Sequence, residues 1–303
     1  MRKIIIDCDP GHDDIMAIIT ALAHKDELDI IGITTVAGNQ TLDKVTNNIL
    51  KVENYLGVNI PVYKGYDKPI IKPSMPQPIA HGESGMDGPI LEESKVKASN
   101  KHALEFYKEV LEKEKITIVA LAPLTNLGML IATYPNLKDN IEQIVLMGGA
   151  INGGNINKYA EFNIWHDPEA AKIVFDSNIK VVMAPIEVCE SGAILLSEVN
   201  NISYDKKVSK LIRELFDFYC NYAIERNLDR TSIFDVVPIV YLLKPELFKY
   251  ELGTVDIILD GIDTQGQTIF NKDENGCHIV LLETDREKFI KVFIDAINYL
   301  DNN

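Results

Sequence analysis

Four aspartates fall within eight residues in Asp7-Cys8-Asp9-Pro10-Gly11-His12-Asp13-Asp14, directly after the apolar run Ile4-Ile5-Ile6. Carboxylates held this close at a strand-to-helix turn repel one another unless a cation or protons neutralise them. Hard oxygen donors select Ca²⁺ or Mg²⁺ over zinc. Asp13 or Asp14 is accounted for as the cap of the following helix, where it would meet the positive end of the helix dipole. Capping explains one of the four and leaves the others, so the run reads as a cation site. It is not an EF-hand loop, which alternates its acidic positions and ends in Glu. It half-matches the strand-ending D-x-D of aspartyl phosphatases, with Asp7 and Asp9 as the reacting pair. In that reading Pro10-Gly11 stands where Thr or Val is usual, and Asp13-Asp14 has no role.

Such a site needs a scaffold that brings strand ends together. Short β-branched runs occur at Lys3–Asp7, Ile30–Val36, Ile116–Leu121, Gln143–Met147 and Lys180–Ala184. Each is mostly apolar, as expected of strands covered on both faces. Amphipathic stretches alternate with them at Asp13–His24, Leu42–Leu56, Lys101–Glu114, Leu124–Thr133 and Pro168–Ser177. This alternation predicts right-handed βαβ crossovers and an α/β fold with an open, mostly parallel, Rossmann-like sheet flanked by helices. No shift in composition marks a boundary, so residues 1–303 read as a single domain. Two segments break the rhythm. Residues 72–98 are rich in Pro and Gly and too long for an idle connection. Residues 197–233 form a polar, aromatic-studded helical excursion. Excursions of this kind build sites above the C-terminal strand ends. The runs Val255–Leu259, Gly266–Asn271 and His278–Leu282 predict a C-terminal antiparallel extension, closed by a helix over Asp285–Tyr299.

Further motifs follow the same order as the strands. Ala37-Gly38-Asn39 follows the second strand, and His81-Gly82-Glu83-Ser84-Gly85-Met86-Asp87-Gly88 lies in the long loop. Ala122-Pro123-Leu124-Thr125-Asn126 and Met147-Gly148-Gly149 follow the next two strands. Then come Asn155, Ala160-Glu161-Phe162-Asn163-Ile164, Asp167-Pro168-Glu169-Ala170-Ala171 and Phe234-Asp235. Together with D-x-D-P-G-x-D-D, this series resembles the inosine–uridine nucleoside hydrolase family over nearly the whole chain.

The resemblance implies hydrolysis of the N-glycosidic bond of ribonucleosides to ribose and free base. It implies a Ca²⁺ held by Asp9, Asp14, the Thr125 carbonyl and Asp235, with Asp9 taking a proton from the attacking water. It also implies that Asp13, Asn39, Asn155, Glu161 and Asn163 bind the ribose, with Met147 beneath the ring, and that Phe162 is among the substrate-binding residues. A polar cage of this kind suits the oxocarbenium-like sugar of such a reaction. The departing base is the harder half, because it needs a proton or its equivalent. Many relatives carry His-Asp where this chain has Phe234-Asp235, and Phe234 cannot donate a proton. His81 is then the candidate acid, and Tyr222 and Arg226, one helical turn apart, are candidates to face the base. A catalytically impaired nucleoside- or ribose-binding protein is the alternative that Phe234 motivates.

Composition narrows the partners. The formal net charge of −15 and pI near 4.9 argue against nucleic acid. No run of 18 apolar residues is present, which argues against a membrane span. Cys8, Cys189, Cys220 and Cys277 form no paired motif and read as buried, reduced thiols. The expected setting is a cytoplasmic enzyme with a small-molecule ribonucleoside substrate, assembled as a homodimer or homotetramer by the same resemblance.

Overall fold

A computed structural model describes residues 1–303. Its strands are β1 (Arg2–Cys8), β2 (Leu28–Thr35), β3 (Val62–Lys64), β4 (Ile116–Ala120), β5 (Ile141–Met147), β6 (Val181–Ala184), β7 (Ile194–Leu195), β8 (Arg230–Thr231), β9 (Phe248–Ile257), β10 (Thr268–Lys272) and β11 (His278–Thr284). Helices α1 (His12–Ala23), α2 (Leu42–Leu56), α3 (Pro78–His81), α4 (Ala103–Leu111), α5 (Thr125–Thr133), α6 (Phe162–His166) and α7 (Pro168–Phe175) lie in the first part of the chain. The second part holds α8 (Ile186–Ser191), α9 (Leu196–Val199), α10 (Lys207–Tyr219), α11 (Asn221–Glu225), α12 (Val236–Leu243) and α13 (Arg286–Asn302).

Nine strands form one sheet in the order β10-β9-β11-β6-β5-β4-β1-β2-β3. From β3 to β6 every pairing is parallel. The expected antiparallel extension is present, yet it is not a separate sheet: β11 pairs parallel with β6 and antiparallel with β9. Successive residues of β1 face opposite layers, as the two-residue period of a strand requires. Ile4, Ile6 and Cys8 pack with α1, α12 and α13, while Ile5 packs with α4, α5 and α7. Both layers are apolar, so the central strands are hydrophobic throughout.

The chain turns back on itself between β1 and β4. In a doubly wound sheet the crevice outside the carboxyl ends of two such strands is where a ligand fits. Asp7–Asp14 leaves β1 there, and Ala122–Thr125 leaves β4 there. The long loop carries only the short α3 and a bridge between Tyr63 and Ser99. The excursion folds as α9, α10 and α11, and the two-stranded β7–β8 ribbon closes its base. No helix is long and apolar enough to cross a membrane. Three cysteines are buried as expected, whereas Cys277 is exposed, just before β11.

Candidate active site

Helix α1 begins at the end of β1 and carries its acidic residues in the first turn. Asp14 Oδ2 accepts from the Gly11 amide at 2.9 Å and its Oδ1 from the Asp9 amide at 3.2 Å. Asp14 therefore caps the helix as the sequence allows, and the same carboxylate faces the cluster. One carboxylate oxygen from each of Asp13, Asp14 and Asp235 lies within 4.8 Å of the others, all three buried. Asp235 precedes α12, so this group joins segments more than two hundred residues apart. Asp9 stands just outside the group. The Asn39 side-chain amide joins them, donating to the Asp9 carbonyl at 3.2 Å and to Asp14 Oδ2 at 3.3 Å.

Asp9 Oδ2 accepts from the Asn39 amide at 2.6 Å, and its Oδ1 is sealed from solvent without a hydrogen-bond partner. An orphaned anionic oxygen in the interior is costly unless a ligand meets it. Burial, then the Asp14 charge, push the Asp9 carboxyl far above the usual carboxylate range. Burial and Asp13 raise Asp14 to about 7, and burial with Asp13 and Asp14 raises Asp235 well above its ordinary value. Burial raises Asp13 as well. Four carboxyls that resist ionisation together are the electrostatic form of a cation site, and the all-oxygen donor set suits a hard divalent ion. The acidic cluster fits a metal.

The expected ribose residues divide into two groups. Asp13 and Asn39 line the cluster, as just described. Asn163 is buried, with its side-chain amide donating to the Leu121 carbonyl at 3.0 Å and the Met147 carbonyl at 3.2 Å. This ties α6 to the ends of β4 and β5 and sets Met147 beside it, with Met147 Sδ 3.5 Å from the same amide nitrogen. Glu161 is the cap of α6: Oε1 accepts from the Asn163 amide, and Oε2 from the Gly149 and Ile164 amides. Burial raises its carboxyl to about 7 against those donors. Asn155 is exposed and accepts from the Phe162 amide at 2.9 Å, which makes it a loop fastener. Phe162 is half-buried, with its ring 5.2 Å from that of His166.

On the other side of the cluster, α3 delivers His81 to the start of α1. A Cβ on Gly11 would lie 2.6 Å from His81 Nδ1, so a side chain there would push the loop away. His81 Nδ1 lies 3.1 Å from His12 Nδ1, and His12 Nε2 lies 2.8 Å from the Asp87 carbonyl. Burial lowers both imidazoles, His81 to about 4 and His12 to about 3. The His12 ring stacks on Phe218 and Tyr219 of α10. The Tyr219 hydroxyl donates to Asp13 Oδ2 at 3.2 Å. Tyr222 and Arg226 lie farther along the excursion and engage each other, with the guanidinium 3.6 Å from the ring centre and Tyr222 half exposed. Neither bonds to the cluster. Phe234 is half-buried and packs against the core.

The structure adds Tyr219 and Asp167, which sequence reasoning does not single out for the site. Asp167 Oδ2 accepts from Thr125 Oγ1 at 2.6 Å and from the Ile70 amide at 3.0 Å, which fixes the start of α5. In the sequence Asp167 stands only as part of the motif Asp167-Pro168-Glu169-Ala170-Ala171, with no role of its own. Asp7 lies off the site altogether. Its Oδ1 accepts from Thr34 Oγ1 at 2.5 Å, Asn126 Nδ2 at 2.7 Å and the Tyr107 hydroxyl at 3.2 Å, in a position with no solvent exposure. These three donors tie Asp7 into a structural network away from the acidic cluster, so the phosphatase reading built on Asp7 and Asp9 fails.

Known proteins agree with this geometry. Residues 4–291 match the family described as inosine-uridine preferring nucleoside hydrolase. The chain is 38% identical to a pyrimidine-specific ribonucleoside hydrolase, RihA, of Shigella boydii, with 98% of each chain covered. It is 37% identical to the RihA of Shewanella woodyi over the same shares. Among solved structures, a purine-preferring ribonucleoside hydrolase from Gardnerella vaginalis superposes with a TM-score of 0.93 at 29% identity, covering 100% of both chains. A plant nucleoside hydrolase gives a TM-score of 0.90 at 30% identity over 98% of each chain. With the family match, the identities and the superpositions in accord, this chain belongs to the inosine-uridine preferring nucleoside hydrolase family.

Proposed function

We propose that this ribonucleoside hydrolase works with Ca²⁺, held by Asp9, Asp14, Asp235 and the Thr125 carbonyl, and that Asp9 is the base that takes the proton from water. Such an ion, when bound, lowers the pKa of a water and orients the ribose hydroxyls. The observation that carries the reading is Asp9 itself. One oxygen is pinned by the Asn39 amide and the other is buried and unpartnered, held for a ligand or a proton. A cation nearby keeps this carboxyl ionised, while its buried setting keeps it basic.

Asp13 and Asn39, on the cluster side, and Asn163, over the ends of β4 and β5, would hold the ribose. Met147 would pack beneath the ring. Glu161 holds α6 and the Gly149 turn in place through its three backbone bonds. Fixed dipoles around the sugar stabilise the positive charge that builds as the glycosidic bond breaks. His81 borders the side where the base would leave.

Asp9→Asn tests the base assignment, because it keeps the size of the side chain and removes its proton affinity. We expect kcat on uridine to fall by about 10²-fold or more while nucleoside binding survives. A loss of only a few-fold would show that another group activates the water.

A further inference from the structure

The two histidines at the head of α1 form a pair of their own beside the acidic cluster. His12 Nε2 sits 2.8 Å from the Asp87 carbonyl oxygen. A carbonyl only accepts, so this nitrogen carries a proton. The contact between the two Nδ1 atoms, 3.1 Å long, has room for one proton. If His12 held it, that ring would be a buried imidazolium facing another imidazole. If His81 holds it, both rings are neutral and both contacts are satisfied.

One contact competes. The His12 backbone amide points at His81 Nδ1 from 3.4 Å, which would favour a bare nitrogen there. That distance is at the outer limit of a hydrogen bond, where little energy is involved. The alternative neutral assignment moves the His12 proton to Nδ1 and sets two lone pairs against each other at 2.8 Å, beside Asp87. The shorter contact decides.

From this geometry we infer that His12 is a positioning residue that locks His81 in the Nδ1–H tautomer, leaving Nε2 as a bare acceptor toward the nucleobase. Bonds within the protein engage only the Nδ1 of His81. The tautomer dictates which base edge is welcome: one that offers an N–H or amino donor, not one that offers a carbonyl. It also means that His81 at rest has no proton at Nε2 to give to a departing base. His12 is itself held in three ways. Phe218 and Tyr219 stack on its ring at 5.2 and 5.5 Å, and the Asp87 carbonyl fixes its far nitrogen. This inference rests on placing the base beside His81, but the tautomer can be read without any nucleoside present.

The test is nitrogen NMR of protein labelled at histidine, Ca²⁺-loaded, with His81 assigned by loss of its signals in His81→Gln. The wild type should show His81 protonated at Nδ1, the less common form of a free imidazole. His12→Phe keeps a stacking ring and removes both nitrogens, so His81 should revert to Nε2–H. His12→Asn places an amide oxygen near the lost Nδ1 and should retain the Nδ1–H form. The kinetic counterpart is a drop of about tenfold or more in kcat/KM on nucleosides for His12→Phe, with most of it recovered in His12→Asn. Finding Nε2–H in the wild type overturns the inference, as does an unchanged tautomer in folded His12→Phe. The wild-type spectrum decides even if the variant does not fold. Absence of nucleoside turnover in a protein that shows the Nδ1–H form would instead count against the hydrolytic reading.

Discussion

Asp7 and Asp9 stand two residues apart at one strand end and have different fates. Asp7 is still within β1 and faces, like Ile5, the layer that holds Tyr107, where Thr34, Tyr107 and Asn126 bond it. Asp9 lies past the strand end, where the two-residue period no longer holds, and meets Asn39 beside the acidic cluster. Asp7→Ala would remove the acceptor that three buried donors share, leaving them only the Thr34–Tyr107 contact and the Thr35 carbonyl. We expect a stability loss of about 3 kcal/mol, measured by denaturant unfolding, in line with the cost of breaking a buried hydrogen-bond network. A loss under about 1 kcal/mol would mean that the network contributes little. The acidic run was legible in the sequence as a cation site, because four carboxylates so close repel one another without a counter-ion. The division of labour within it was not, since it depends on where β1 ends and on which distant residues pack there. Ribose recognition gives a second test at this scale. If Asp13, Asn39 and Asn163 pair with the sugar hydroxyls, deoxyuridine leaves buried partners unmet. Its kcat/KM should then fall at least about 10²-fold below that of uridine. Comparable values would remove the cage.

Among the elements, the strands and helices of the βαβ part were legible because their apolar periods are strong. Helix α2 falls on the residues its amphipathic spacing predicts, Leu42–Leu56. The three-residue β3 is too short for any period to show in the sequence. Strand β9 begins at Phe248, seven residues before the expected run at Val255, because Lys249, Tyr250 and Glu251 are polar or amphipathic residues on a partly exposed strand. The excursion was evident, yet nothing in it told Tyr219 from its neighbours. Its partner Asp13 lies 206 residues away, and only the packing of α10 brings them together. The loop over His81 is held to α10 at Gly88, which has φ of 127° and whose added Cβ would lie 2.5 Å from the Glu214 carbonyl oxygen. Gly88→Ala is therefore strained in backbone and blocked by backbone. We expect kcat/KM on uridine to fall by about tenfold or more while Ca²⁺ affinity holds. Unchanged kinetics would show that the seating of the loop does not matter.

At the scale of the whole molecule, the acidic cluster couples folding to pH and to metal. In the metal-free protein Asp9, Asp14 and Asp235 hold their protons to higher pH than in the unfolded chain, Asp14 to about 7. The stability these protons confer is full below about pH 4 and falls as pH rises, the Asp14 share being lost through about 7. With chelator present, Tm should fall by roughly 5–10 °C between about pH 5 and about pH 8, and saturating Ca²⁺ should remove most of that fall. A flat profile without metal would contradict the shifted carboxyls. The most direct test of the central claim is a metal titration of turnover. Protein stripped of metal by chelation, and verified by elemental analysis, is titrated with Ca²⁺ while ribose release from uridine is followed. Negligible turnover without metal, restored in full at one Ca²⁺ per chain, is the predicted result; full turnover by the verified metal-free protein would contradict it.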